Sequence, residues 1–124
     1  MLNVKPLVVE ALENNETLVN LLGGKKVFFM TTSEDTKLPY ITYQEIVNVD
    51  DTYYDNEAYS SEIQFVINIW VPGDESTTKI AQEVDKTMKS LGFKRLSAVD
   101  LYHKETEIFQ KNMRYRTNKI IKEE

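Results

Sequence analysis

The sequence predicts an α+β fold, a mostly antiparallel β-sheet of about five strands with two main helices packed on one face. Three patterns support this prediction: a helical apolar stripe in residues 6–22, an alternating strand in residues 60–71, and an amphipathic helix in residues 76–91. Neighbouring predicted strands are joined by loops rather than by helices, which is typical of antiparallel pairing. We therefore expect one layer of helices on one sheet.

The first helical region begins at Pro6, which suits a first helical turn because its missing N–H is not needed there. Its apolar residues recur at spacings of three, four and seven: Leu7, Val8, Ala11, Leu12, Leu18, Val19 and Leu22. Asn14 and Asn15 interrupt the stripe, and Asn15 is a candidate N-cap for a second short helix. Gly23 and Gly24 predict the end of the region, because glycine accepts the left-handed conformation of a helix C-cap.

Three strands are predicted next, in residues 26–30, 40–49 and 60–71. A polar loop, residues 31–37, separates the first two, and an acidic loop, residues 50–57, separates the second from the third. The third strand places five apolar side chains on one face: Ile63, Phe65, Ile67, Ile69 and Val71. Its other face carries Glu62, Gln64 and Asn68, which predicts partial exposure or cover by a partner.

A turn at residues 72–74 leads into the helix of residues 76–91, and Gly92 predicts its end. The apolar side of this helix consists of Ile80, Val84, Met88 and Leu91. Residues 93–119 resemble two further strands around a turn near Lys104. Residues 1–118 are predicted to form a single domain, and residues 119–124 a flexible C-terminal tail.

The composition is that of a globular domain, since 41% of the 124 residues are hydrophobic and 28% are charged. No apolar run approaches the roughly 20 residues of a membrane-spanning helix, and we expect no secretory signal. The chain has no cysteine, which excludes disulfides, thiolate metal sites and cysteine catalysis. A net charge of −5 opposes wholesale binding to a phosphate backbone.

Candidate catalytic chemistry is sparse. His103 is the single histidine, and its position at a predicted turn favours an exposed turn residue over a catalytic base, which needs a positioned partner. The Gly23–Lys26 stretch lacks the spacing of a phosphate-binding loop and is better explained as a helix end. We therefore expect no catalytic residue, no metal site and no cofactor.

The densest acidic cluster, within residues 50–57, comprises Asp50, Asp51, Asp55 and Glu57. It lacks the ligand spacing of a calcium-binding loop, so a solvated loop is one interpretation. The other is a mobile flap that orders against a neighbouring subunit, with tyrosines as contact groups: Tyr53, Tyr54 and Tyr59.

The C-terminal strand is basic, with Lys111, Arg114, Arg116, Lys119 and Lys122. Alternation predicts that Arg114 and Arg116 share one face, where a phosphate or a subunit carboxylate is able to meet them. An ordinary charged sheet face is the competing interpretation.

Six segments carry a further pattern, in a fixed order along the chain. They are Ala-Leu-Glu-Asn-Asn-Glu at 11–16, Leu-Leu-Gly-Gly-Lys-Lys-Val at 21–27, Leu-Pro-Tyr-Ile-Thr-Tyr at 38–43, the strand at 61–70, the helix at 83–93, and Met-Arg-Tyr-Arg at 113–116. Together they resemble the tail completion proteins of long-tailed bacteriophages and prophages, also called head–tail joining or tail terminator proteins. The resemblance covers nearly the whole chain.

The resemblance implies a sheet flanked by helices, without catalytic residues or cofactor. It also implies a ring, commonly a hexamer, that caps the tail tube and joins it to head connector proteins. DNA would pass through the channel without specific binding. The protein would be located in the virion at the tail–head junction, after assembly in the host cytoplasm, and would not contact a membrane.

A head-to-tail ring needs two different complementary surfaces on each subunit. We expect salt-sensitive pairs between the acidic loop and the basic C-terminal strand. The predicted subunit or partner contacts are Asp50, Asp51, Tyr53, Tyr54, Asp55, Glu62, Gln64, Trp70, Arg114 and Arg116.

Two other classes of function remain open from the sequence. A small nucleic-acid-binding regulator would use the basic C-terminal strand, and its affinity would fall steeply with salt. A small hydrolase or transferase would need a pocket of convergent polar groups, for which the sequence offers no recognisable set.

Overall fold

A computed structural model describes residues 1–54 and 56–120 of the chain. Its elements are, in order, α1 (Lys5–Glu13), α2 (Glu16–Leu22), β1 (Val27–Phe29), β2 (Tyr40–Tyr54), β3 (Glu57–Pro72), α3 (Thr78–Ser90), β4 (Lys94–His103) and β5 (Ile108–Ile120). Strand β5 extends to the second residue of the predicted tail, and residues 121–124 lie outside the described residues.

All five strands belong to one sheet with the order β1-β2-β3-β5-β4. The short β1 pairs parallel with β2, whereas the other neighbours pair antiparallel. The predicted fold class, a mostly antiparallel α+β sheet of about five strands, is confirmed.

The helix boundaries follow the capping residues. The side chain of Asn15 accepts a hydrogen bond from the backbone N–H of Leu18 at 3.0 Å, so the first helical region is divided into α1 and α2 as its interruption predicts. Gly23 follows α2 with a φ of 78°, and Gly92 follows α3 with a φ of 88°. Both conformations favour glycine, and both helices end where the sequence predicts.

The hydrophobic core lies between the three helices and one face of the sheet. The predicted apolar face of β3 is buried throughout, and Met113 and Tyr115 of β5 extend it. The helices complete the core with Val8, Leu12, Leu18, Leu22, Ile80, Val84 and Met88. Because side chains alternate along a strand, the residues between these core positions point to the opposite side of the sheet.

We call that opposite side the helix-free face. It comprises the even-numbered residues 62–70 of β3 and 110–118 of β5, with Tyr40 and Thr42 of β2. From β4 it includes Lys94, Ser97, Val99, Leu101 and His103, which the register places opposite even-numbered residues of β5. None of the helices in residues 1–54 and 56–120 has the length and apolar character needed to cross a membrane.

The prediction of a loop at residues 50–57 is wrong. Strand β2 continues to Tyr54 and pairs there with Glu57 at the start of β3. Aspartate disfavours strands, but Thr52 and the following tyrosines favour them, and cross-strand hydrogen bonds accommodate the acidic residues.

We call residues 50–54 and 57–59 the hairpin arm. Among the described residues, β1 pairs with β2 only at residues 41–43, and β5 pairs with β3 no closer to the arm than Ser60. The arm therefore has no described pairing with β1, and its residues 53–54 and 57–58 lie beyond the described pairing of β3 with β5.

Candidate interaction surface

Five of the predicted contact residues come together on the helix-free face: Glu62, Gln64, Trp70, Arg114 and Arg116. Gln64 lies directly opposite Arg116, and Trp70 lies opposite Gln110. The common face of Arg114 and Arg116 agrees with their spacing in the sequence. The arm carries three further contact residues at one end of the sheet, Asp50, Asp51 and Tyr53. Tyr54 ends β2 within the arm, and Asp55 lies outside the described residues.

An ion pair within the subunit engages one of the two arginines. Arg116 donates to Glu62 at 3.3 Å, and the Gln64 amide donates to the other oxygen of that carboxylate at 2.8 Å. The hydrogen bond from Arg116, followed by that from Gln64, holds the pKa of Glu62 below its usual value. Arg116 is therefore partly neutralised inside its own subunit.

Two other cations accompany this pair. Lys94 of β4 lies directly opposite Arg116, and Arg114 lies opposite Ser97. Both Lys94 and Arg114 are exposed, and the ion pairs found in residues 1–54 and 56–120 include neither of them. Like charges on directly opposite residues are unfavourable in an isolated sheet. Lys94, Arg114 and Arg116 form what we call the basic patch. It carries excess positive charge, which an anionic partner would neutralise.

Sequence reasoning missed Lys94. The residue precedes the alternating part of its strand, and only the register with β5 places it beside Arg116. A positive residue at the start of a predicted strand is a weak signal, because strand pairing is not readable from local sequence.

The other end of the helix-free face is aromatic. The Trp70 ring stacks between Tyr40, with centroids 6.4 Å apart, and His103, with centroids 5.6 Å apart. Its indole N–H donates to the Thr42 hydroxyl at 3.0 Å. Trp70 is thus half-buried and held in place by Tyr40, His103 and Thr42.

His103 is exposed, as predicted, but it is the last residue of β4 rather than part of a turn. A 2.7 Å hydrogen bond joins its Nε2 to the Gln110 side-chain oxygen, and Gln110 in turn donates to Asn68 at 2.7 Å. These hydrogen bonds link His103, Gln110 and Asn68 and hold the side chains at the aromatic end of the helix-free face in place. Groups of three or more residues able to hold a metal ion are absent from the part of the chain that the structure describes.

Residues 50–53 of the arm are exposed, and two of them are aspartates. Asp50 accepts a hydrogen bond from the Ser61 hydroxyl at 3.1 Å, and Asp51 accepts one from the Ser60 hydroxyl at 2.7 Å and another from Asn118. The Tyr53 side chain is 62% exposed. These contacts hold the carboxylates in a hairpin, although the side chains remain accessible to a partner.

The charges divide the sheet into two halves. Residues 40–72, which form β2 and β3, include six acidic and no basic residues. Residues 94–119, which form β4 and most of β5, include seven basic and three acidic residues. The sheet therefore carries an acidic half and a basic half, side by side.

The family model described as "Tail completion protein gp17" matches residues 6–118. The chain belongs to this tail completion family. The tail completion protein is accordingly a structural protein of the phage tail, and the resemblance carried by the six sequence segments is confirmed. A structural role in a phage particle makes contact with other particle proteins part of its function.

A solved structure shares the fold of this tail completion protein. A chain of the "Virion of native gene transfer agent (GTA) particle" superimposes with a TM-score of 0.65 at 16% sequence identity, covering 91% of each chain. At that identity the likeness concerns the fold alone. No curated protein sequence matches the chain.

Proposed function

We propose that this tail completion protein forms a head-to-tail ring, a hexamer as its family resemblance implies, that caps the tail tube and joins it to the head connector proteins. The observation that carries the proposal is the division of each subunit into an acidic and a basic half. A closed ring of identical subunits requires two different surfaces that complement each other. Opposite charges on the two halves of the sheet meet that requirement.

The outer strands of the two halves, β2 and β4, would meet between subunits rather than within one. Strands β3 and β5 separate β2 from β4, so that three inter-strand spacings, about 14 Å, lie between the acidic and basic outer strands. In the ring, Asp50 and Asp51 of one arm would lie near Arg114 of the next subunit. Arg116 would contribute less than Arg114, because it already pairs with Glu62.

The overall charge is compatible with a channel for DNA. The net charge is −5, so most of the surface would not retain a phosphate backbone. Engagement of the basic patch by neighbouring arms would also remove the main cationic surface from the channel. The partners in this proposal are therefore copies of the chain, the tail tube protein and the head connector, with DNA passing through.

The proposal predicts that purified protein binds to one end of polymerised tail tubes. Negative-stain imaging of the mixture should show a ring-shaped cap, and light scattering of the protein should show whether the ring also forms without tubes. Binding along the sides of tubes, or no binding, would contradict the proposed role. Salt-sensitive binding to DNA by a protein that ignores tubes would favour the nucleic-acid-binding alternative instead.

A further inference from the structure

Strand β4 forms a long open edge of the sheet. Among the described residues it pairs with β5 alone, and nine of its ten residues are exposed. Four large apolar side chains along it, Leu96, Val99, Leu101 and Tyr102, are between 43% and 49% exposed. Proteins usually shorten, charge or cover such an edge, because exposed backbone groups beside apolar side chains promote association.

The described side chains of the hairpin arm form a second exposed surface. Val49, next to the arm, is 52% exposed, and Tyr53 is the most exposed of the described tyrosines. Between them lie the exposed carboxylates of Asp50 and Asp51. The arm thus combines apolar side chains with negative charge on an extended backbone.

We propose that the hairpin arm of a second copy of this chain binds along the open edge of β4. The proposal rests on the proposed ring and identifies the contact that closes it. Lys94 and Arg114 would meet the arm carboxylates, while Tyr53 would pack against Val99 and Leu101, in the order in which these residues follow one another along the two strands. Because both surfaces are strands, backbone N–H and C=O groups along the open edge of β4 would also be able to pair with the arm.

Charge decides between this occupant and a second β4. Two β4 strands would bring their basic patches to the same interface and leave both arms uncovered. An arm supplies the anions that Lys94 and Arg114 lack among residues 1–54 and 56–120 of their own chain. The contact is heterologous, so that each subunit uses its arm on one side and its β4 edge on the other, as a ring requires.

The absence of native cysteine allows a direct test by disulfide cross-linking. Tyr53→Cys and Val99→Cys proteins, one with an added tag so that the three possible dimers differ in mass, are mixed and mildly oxidised over a range of protein concentrations, with and without tail tubes. We expect the 53–99 dimer to dominate, and a protein with both substitutions to form a ladder of multimers. Leu7→Cys is the matched control, because Leu7 lies on α1 and is 44% exposed, against 48% for Val99.

Three results would overturn the proposal: a predominant 99–99 dimer, a 53–7 dimer as abundant as the 53–99 dimer, or no cross-link under any condition. The outcomes also separate the interface from the proposed function. If caps form on tube ends but no 53–99 product appears, the proposed function holds and the proposed interface is wrong. If the 53–99 product appears but the protein does not bind tail tubes, the proposed interface is supported and the capping role is wrong.

Discussion

Asp85 connects three elements through its carboxylate. The buried Tyr115 hydroxyl donates to it at 3.0 Å, Lys89 lies 2.7 Å away on the same helix, and Arg95 of β4 lies 3.5 Å away. Burial raises the pKa of Asp85, but the hydrogen bonds from Lys89 and Tyr115 and the charge of Arg95 outweigh it, so the pKa lies below its usual value. Burial and the bond to Asp85 raise the pKa of Tyr115. This carboxylate therefore attaches α3 to the basic half of the sheet.

Replacement of Asp85 by asparagine should destabilise the protein in a pH-dependent way. A carboxylate whose pKa is lowered by folding stabilises the native state above its unfolded pKa of about 4, and this contribution is lost as the pH falls through the folded pKa. We expect Asp85→Asn to lower the free energy of unfolding by about 1.5–3 kcal/mol at pH 7 and by much less near pH 2. Urea denaturation at both pH values measures the difference.

Asp74→Asn provides a control, because Asp74 lies in an exposed turn. Its effect should stay within about 0.5 kcal/mol at either pH. A loss for Asp85→Asn that is equal at pH 7 and pH 2 would mean that the carboxylate acts through packing rather than through its charge.

At the level of elements, predictions from the sequence succeeded where one strong local pattern decides the structure. The alternation from Ile63 to Val71 predicts β3 and its buried face, and Asn15, Gly23 and Gly92 predict the helix ends. These signals succeed because burial and capping depend on residues close together in the chain.

The features that the sequence did not reveal, the paired end of β2 and the role of β4 as an edge strand, depend on distant residues. The end of β2 carries aspartates that disfavour a strand, and their partners Ser60 and Ser61 become visible only in the paired hairpin. Strand β4 exposes apolar residues on both faces, so no alternation indicates its role. The residue types of the candidate contact surface could therefore be predicted from the sequence, except for Lys94, whereas their arrangement required the strand order and register.

Shortening the arm tests its role as an element. Joining Asp50 to Ser61 through a two-residue Asn-Gly turn removes most of the arm but retains the pairing of β3 with β5 from Ser61 onward. We expect the subunit to keep its circular dichroism spectrum and to lose ring formation on tail tubes. A shortened protein that still caps tubes would show that the arm is not an assembly contact.

At the scale of the whole molecule, a net acidic protein carries the basic residues of its long strands on one side of a single sheet, on β4 and β5. Self-association through opposite halves would propagate from subunit to subunit in one direction, and curvature would close it into a ring. Because the contacts involve exposed charges, high salt should weaken assembly, while the apolar edge of β4 should retain part of it.

Charge-swap complementation tests this head-to-tail arrangement most directly. One variant carries Asp50→Lys and Asp51→Lys, and the other carries Lys94→Glu and Arg114→Glu. Neither should form rings alone, because each variant places like charges at every contact. In a mixture, the arm of one variant complements the β4 edge of the other, so the two should alternate around a ring with an even number of subunits. We would measure mass by light scattering and shape by negative stain, with tail tubes present. Rings from the equimolar mixture alone are the predicted result; rings from either variant by itself, or none from the mixture, would contradict the account.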